Sequence, residues 1–283
     1  MKIKYQCYPC ILRQSIESAE MVEVNDQQMK QIIKHFGDIL SPALDNNFTA
    51  PMLAAEMQKY IKNLTKVDDP YFNLKEKNLS QAQKLLPLVE EEIKAAEDSL
   101  LAALLMSAMG NSIDAGVSLN VNIKENIDQA IADSFAHSDY PRFKDELQTA
   151  SNLLIIADNT GEALFDLLLL KELKAYNLKI TYAVREIPIL NDITAEKAEE
   201  IGIGKYAEII KSGSTAPGML MEEASAEFLE AYKEADLVIS KGQGNLEGLL
   251  DIEEDIYFLL KAKCEIIAEI LGVGLNDFVF LHR

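Results

Sequence analysis

"LLIIADNTGEALFDLLLLKELK", residues 153–174, joins two apolar patterns through five small or polar residues. Leu153 to Ala157 is a short, branched, unbroken apolar run, which reads as a strand buried on both faces of a parallel sheet. From Ala163 onward, Leu164, Leu167, Leu168 and Lys171 follow helical spacing. Asp158, Asn159, Thr160, Gly161 and Glu162 therefore occupy the carboxyl end of a strand, just ahead of a helix. Open α/β sheets bind ligands at such ends, and the free N–H groups of a helix's first turn favour anions. An ordinary βα turn with an Asp or Asn N-cap would use the same residues. The rest of the chain decides between the two.

Further strand-like runs occur at 178–184, 207–210 and 236–240, with weaker ones at 255–260 and 277–281. Helical segments at 162–176, 195–201, 219–234 and 261–271 lie between them. This alternation predicts a parallel sheet covered by helices. Before residue 145 the chain reads mainly as helix. Stretches 27–40, 50–64 and 80–109 carry apolar residues at helical spacing, and no β-alternation appears before residue 150. Ser80 suits the N-cap of the last stretch, Pro87 should kink or restart it, and "DDPYFNLK" (68–75) reads as a turn or loop. The expected architecture is α/β. A mainly helical region, 1–145, packs on a three-layer α/β/α Rossmann-like domain, 146–283, with a mostly parallel sheet and no free linker between.

The bulk numbers narrow the partners. A formal net charge of −19 argues against a nucleic-acid backbone or an anionic membrane surface. An anionic ligand must then meet local positive charge, from a metal ion, a Lys or a helix terminus. "MKIKYQCYPC" (1–10) holds no apolar core of signal-peptide length, and the longest uncharged stretch, 99–113, is too short to span a bilayer. Three Cys make no disulfide framework. The cytoplasm is the expected location, and the oligomeric state stays open.

Three strand ends carry the chemistry. The first is Asp158 to Glu162, the second Arg185 to Asp192, and the third Lys241 to Glu247, which includes Asn245. Strands running the same way bring these loops to one edge of the sheet. Oxygen donors from Asp158, Asn159 and Asp192, with no His or Cys nearby in sequence, suit a hard divalent cation. Lys241 would pair with a phosphate as a point charge. Asp192 or Thr194 would equally well cap the helix at 195–201, and the Gly-x-Gly at 242–244 is a weak signal alone. A fourth stretch, "MGNSIDAGV" (109–117), sets Asn111 and Asp114 into an apolar run, as pocket groups or as a helix cap. Cys7-x-x-Cys10 has the spacing of a Zn²⁺ clamp but no second pair, and Cys264, His35, His137 and His282 show no ligand spacing. Partly buried structural thiols are the favoured reading for Cys7 and Cys10, and a second metal site is the other.

Together, "CYPCILRQ" (7–14), "GNSIDAG" (110–116), "DNTGE" (158–162), "VREIPILND" (184–192) and "SKGQGNLE" (240–247) resemble the metal-dependent damage-control phosphatases. That family is also called domain of unknown function 89, and the chain is similar to its Cys-x-x-Cys-bearing archaeal and bacterial branch. The resemblance runs nearly end to end. It implies a helical region packed on an α/β/α domain and hydrolysis of small phosphorylated metabolites such as sugar phosphates or nucleotides, dependent on Mn²⁺, Co²⁺, Ni²⁺ or Mg²⁺. It places the metal on Asp158, Asn159 and Asp192 and a phosphate contact on Lys241. Asn111, Asp114, Gly161, Glu162, Arg185, Asn245 and Glu247 are expected to line or orient the substrate and metal sites. The eukaryotic relatives lack the Cys-x-x-Cys, so the resemblance assigns it no role.

Rival readings differ in what they require. An Asp158 nucleophile of the haloacid dehalogenase type needs a second Asp two positions on, where this chain has Thr160. A dinucleotide-binding module needs Gly-x-Gly-x-x-Gly in the first βα turn, which here holds only Gly161. Some relatives have been described as protein carboxyl methyltransferases; that chemistry needs S-adenosylmethionine and should ignore added metal.

Overall fold

Leu153 and Ile155 face one apolar core and Leu154 and Ile156 face another, so this strand lies in the middle of a layered structure. The computed structural model describes residues 1–113, 135–252 and 255–283, with backbone alone for 111–113. Five helices come first: α1 (Cys7–Met21), α2 (Asp26–Asp45), α3 (Ala50–Thr65), α4 (Phe72–Ala95) and α5 (Ser99–Ile113). The later elements are β1 (His137–Ser138), α6 (Tyr140–Glu146), β2 (Asn152–Ile156), α7 (Ala163–Leu173), β3 (Lys179–Val184) and α8 (Ala195–Ile201). They continue with β4 (Glu208–Lys211), α9 (Ala226–Glu234), β5 (Leu237–Lys241), α10 (Gln243–Leu249), β6 (Tyr257–Lys261), α11 (Glu265–Leu271) and β7 (Phe278–His282).

The seven strands form one sheet in the order β1-β7-β6-β5-β2-β3-β4. Strands β6, β5, β2, β3 and β4 are mutually parallel, and β7 runs against β6 with β1 parallel to β7. From β2 the chain moves outward through β3 and β4, then returns to place β5 on the other side of β2. The gap above β2 and β5 is therefore a topological switch point, where neighbouring loops diverge and leave a crevice. Helices α4 to α8 share the core on one face, and α9 to α11 share the core on the other. Helices α1 to α3 bury an apolar core of their own, and α3 packs on α10 at the carboxyl edge of the sheet.

The strands fall within a residue or two of their expected places, and several local expectations need correction. Residues 80–109 are two helices. Helix α4 passes through Pro87 and ends beside Ala96, while the Asp98 carboxylate accepts from Leu101 N (3.2 Å) to open α5. Ser80 lies inside α4, because that helix begins at Phe72, where a loop was expected and where Asp69 accepts from Tyr71 N and pairs with Lys75. Residues 219–234 hold a short 3₁₀ turn at Met221–Glu223, and α9 starts only after Ser225, whose hydroxyl accepts from Phe228 N. The third expected loop becomes α10 from Gln243 onward. The division expected at residue 145 falls in the last turn of α6, and β1, ahead of it, joins the sheet. Among the described residues no helix is long and apolar enough to cross a membrane.

Candidate active site

Backbone hydrogen bonds zip the first two strand-end loops together. Thr160 N donates to Asn191 O (2.9 Å), Ile193 N donates to Asp158 O (2.9 Å), and Asn159 and Asp192 form an isolated antiparallel bridge. The Thr160 hydroxyl also donates to Asp192 O. Three residues on each side, 158–160 and 191–193, are thereby locked in register, and the side chains of Asp158, Asn159 and Asp192 emerge together. Leu190, just before them, holds φ at +43°, a left-handed conformation costly for a branched residue. Such strain persists where surrounding structure over-determines it, and it clusters at working sites.

Each group of the trio is held. Asn159 Nδ2 donates to Asp158 Oδ2 at 3.0 Å, and Arg185 Nε donates to Asp192 Oδ2 at 2.6 Å. Arg185 reaches the third strand end as well, donating to Asn245 Oδ1 (2.7 Å), while Asn245 Nδ2 donates to the carbonyls of Ala157 and Lys241. Arg185 and Asn245 are thus the frame that ties three strand ends to one another. Gly242, with φ at +80°, completes it, since a Cβ there would run into the Asp158 carboxylate.

Behind Asp158 lies a second buried cluster. Lys241 pairs with both Glu162 and Asp166, and Asp166 also accepts from Ser107 Oγ and Tyr182 OH, each at 2.6 Å. Lys241 and Glu162 are fully buried. The expected phosphate contact at Lys241 therefore does not face the cavity; two carboxylates claim its ammonium first. Asp166 escaped the sequence reading although it is the lone charge between Glu162 and Lys171. A single acid in an apolar helix announces a buried partner.

The cavity measures about 490 Å³ and opens at the switch point. Asp158, Asn159, Asp192, Glu247, Cys7 and Cys10 all line it, joined by Asn191, Leu190 and Gln243. Gly161 is buried within the turn. Asn111 falls in the last turn of α5, with its side chain undescribed, and Asp114 lies outside the described residues. The N-terminal helices contribute a wall, with Ile11 and Gln14 from the "CYPCILRQ" stretch of α1, Gln6 just ahead of it, and Pro51 of α3, which no motif announced.

Electrostatics decides what the trio suits. Four buried carboxylates, Asp158, Asp192, Glu162 and Asp166, crowd against two buried cations, Arg185 and Lys241. Burial pushes Asp192 above the ordinary carboxylate range, Arg185 opposes the shift, and Asp158 adds to it. Burial likewise raises Glu162, against Lys241, with Asp158 and Asp166 adding to it. An excess of two negative charges around hard oxygen donors fits a divalent cation of the Mg²⁺ or Mn²⁺ type. The trio supplies two carboxylates and one amide. Among the described residues no three His, Cys, Asp or Glu are already gathered as a closed cage.

Glu247 titrates in a useful range. Burial raises it from 4.5 to about 7, with Gln243 and the N-terminal ammonium opposing. The folded state then holds a proton that the unfolded chain has released, so this group's stabilisation is complete below pH 4.5 and fades as pH rises through 7. Removing metal and comparing Glu247→Gln with the parent by urea unfolding should show a variant more stable above pH 7 by on the order of 2 kcal/mol. The two should converge near pH 5.

Comparison with known proteins fixes the class. The damage-control phosphatase ARMT1-like domain matches residues 3–279. An uncharacterised protein of Methanocaldococcus jannaschii is 33% identical over 292 residues, spanning 100% of this chain and 96% of its own length. Proteins named damage-control phosphatase from Pyrococcus horikoshii and Archaeoglobus fulgidus are 30% and 31% identical, covering 100% and 99% of this chain and 99% and 98% of their own. The crystal structure of a DUF89 family protein from Pyrococcus horikoshii matches with a TM-score of 0.92 at 28% identity, over 100% of this chain and 99% of that one. The chain belongs to the damage-control phosphatase ARMT1-like family.

Proposed function

We propose that this protein is a phosphatase that hydrolyses small phosphate monoesters at the Asp158 end of its cavity, with a divalent cation such as Mn²⁺, Co²⁺, Ni²⁺ or Mg²⁺. The relatives named damage-control phosphatase support the activity class. The observation that carries the rest is the zipping of two strand-end loops at the switch point, which presents Asp158, Asn159 and Asp192 to one cavity amid excess negative charge.

Asp158, Asn159 and Asp192 would hold the cation, which supplies Lewis acidity toward the phosphoryl oxygens. The protein's own share is placement. Arg185 holds the Asp192 carboxylate in place, and Asn245 holds Arg185. The N-terminus of α7, eleven residues long, lies beside the trio and favours the phosphoryl group's negative charge. The walls from α1, α3 and α10 confine the ester and limit bulk water around it. Thr160 carries no carboxyl group and donates to Asp192 O, so this reading needs no phospho-aspartate.

The test is phosphate release by metal-stripped protein, before and after reconstitution, from sugar phosphates, nucleotides and phosphopantetheine derivatives. Turnover should appear only with added cation and without S-adenosylmethionine. A folded protein that binds these esters yet releases no phosphate with any of the four metals would be a binding module.

A further inference from the structure

Besides Asp158 and Asp192, the cavity's walls hold one buried carboxyl among the described residues, that of Glu247 in α10. Glu265 and Glu269 also line the cavity but are exposed, and no His or Tyr is among its described lining residues. The start of α10 ties Glu247 to the trio. Gly242, just ahead of that helix, packs so close to Asp158 that a Cβ there would stand 2.0 Å from Asp158 Oδ2. Glu247 lies five residues further on, about 7.5 Å along the helix axis. A pair of hydrogen bonds sets its carboxyl group. Lys263 N donates to Gln243 Oε1 at 3.0 Å, which leaves the amide nitrogen for Glu247, and Gln243 Nε2 donates to Glu247 Oε1 at 2.8 Å. Oε1 is therefore the acceptor, and a proton on this carboxyl resides on Oε2. Burial favours that proton, while the Gln243 bond and the N-terminal ammonium oppose it. The other titratable or charged groups around it are Cys7 of α1, Asp251 beyond α10, which pairs with the N-terminal ammonium, and Lys263 and Cys264 ahead of α11.

On the phosphatase reading, on which this step rests, we propose that Glu247 is the general acid, handing the proton on its Oε2 to the leaving oxygen of the phosphate ester. The attacking water's oxygen bonds to phosphorus and the ester P–O bond breaks. Its electron pair goes to the leaving oxygen, which takes the Glu247 proton and departs as an alcohol. One proton of the water stays on the phosphate, and the other returns to Glu247 through solvent. A carboxyl kept neutral by burial suits this step, and positioned acids of this kind contribute about 10²–10⁴-fold. Esters of alkyl hydroxyls depend on such an acid, because an alkoxide is a poor leaving group. Esters of acidic phenols do not. An acid at this place fits the cavity to phosphate esters of alkyl hydroxyls, and it gives Glu247 a part in bond breaking that lining the cavity alone would not.

The experiment compares the parent with Glu247→Gln, both reconstituted with Mn²⁺, on p-nitrophenyl phosphate and on glycerol and sugar phosphates. The variant should lose at least about a hundredfold in kcat on the alkyl esters and less than about tenfold on the aryl ester. With the alkyl esters the parent's kcat should fall as pH rises through about 7, where Glu247 gives up its proton, and the aryl ester should lack this limb. Infrared difference spectra of the two metal-free proteins at pH 6 should show a protonated-carboxyl band in the parent that the variant lacks. Equal losses on both kinds of ester would overturn the proposal, since they would report a role in binding or structure. So would a missing infrared band, or a parent that cleaves aryl but not alkyl phosphates. A folded parent that cleaves neither kind with any of the four metals would remove the phosphatase reading itself, and this acid with it.

Discussion

Replacing Asp158 with Asn is expected to lower metal-dependent phosphate release by at least about a hundredfold while leaving the metal-free protein as stable as the parent or more so. The two halves of this result come from one cause. Asp158 is the carboxylate that presses on both of its neighbours, raising Asp192 and Glu162 through like charge. Asp192 is already engaged by Arg185, and Asn159 offers only an amide, so loss of the Asp158 charge leaves little to hold a cation. Without that charge the remaining carboxylates lose a repulsive neighbour, and the folded state gains on the order of 1 kcal/mol. Phosphate release with Mn²⁺ and urea unfolding without metal measure the two halves on one sample. A carboxylate kept only for structure would give the opposite pattern, with stability lost and turnover kept.

How much of this was legible in the sequence depends on which signals were local. The strands were legible because a sheet covered on both faces demands unbroken apolar runs, and Leu153 to Ala157 is one. Helix α1 left a weaker trace, since its buried face is built partly from Ser15, Ser18 and Ala19, with Ser18 donating to Gln58 of α3. Helix α10 was hidden by Gly244 and Gly248, poor helix formers placed where Pro217 and Met219 backbones approach too closely for a side chain. Asp158, Asn159 and Asp192 could be picked out because parallel strands must deliver their ends to one edge. The placement of Lys241 could not, because residue type and spacing say nothing about which of two neighbours a side chain will prefer.

Lys241→Met should destabilise the protein by about 3–5 kcal/mol at pH 8, a large part of the margin by which a domain stays folded. Met is unbranched and only one atom shorter than Lys, so the loss reports mainly the missing ammonium and its hydrogen bonds rather than a cavity. Asp166 would keep its bonds from Ser107 and Tyr182. Glu162 would keep nothing, for among the described residues Lys241 is the one group that pairs with its oxygens. The cost should therefore sit mainly on Glu162 and shrink toward pH 5, where that carboxyl takes up a proton even more readily. Glu162→Gln added to Lys241→Met should recover more stability than Asp166→Asn added to it. Urea unfolding of the parent, the single variant and the two double variants at both pH values decides the matter. Equal recovery from the two doubles would mean that the hydroxyls of Ser107 and Tyr182 do not hold Asp166, and that Lys241 serves both carboxylates alike.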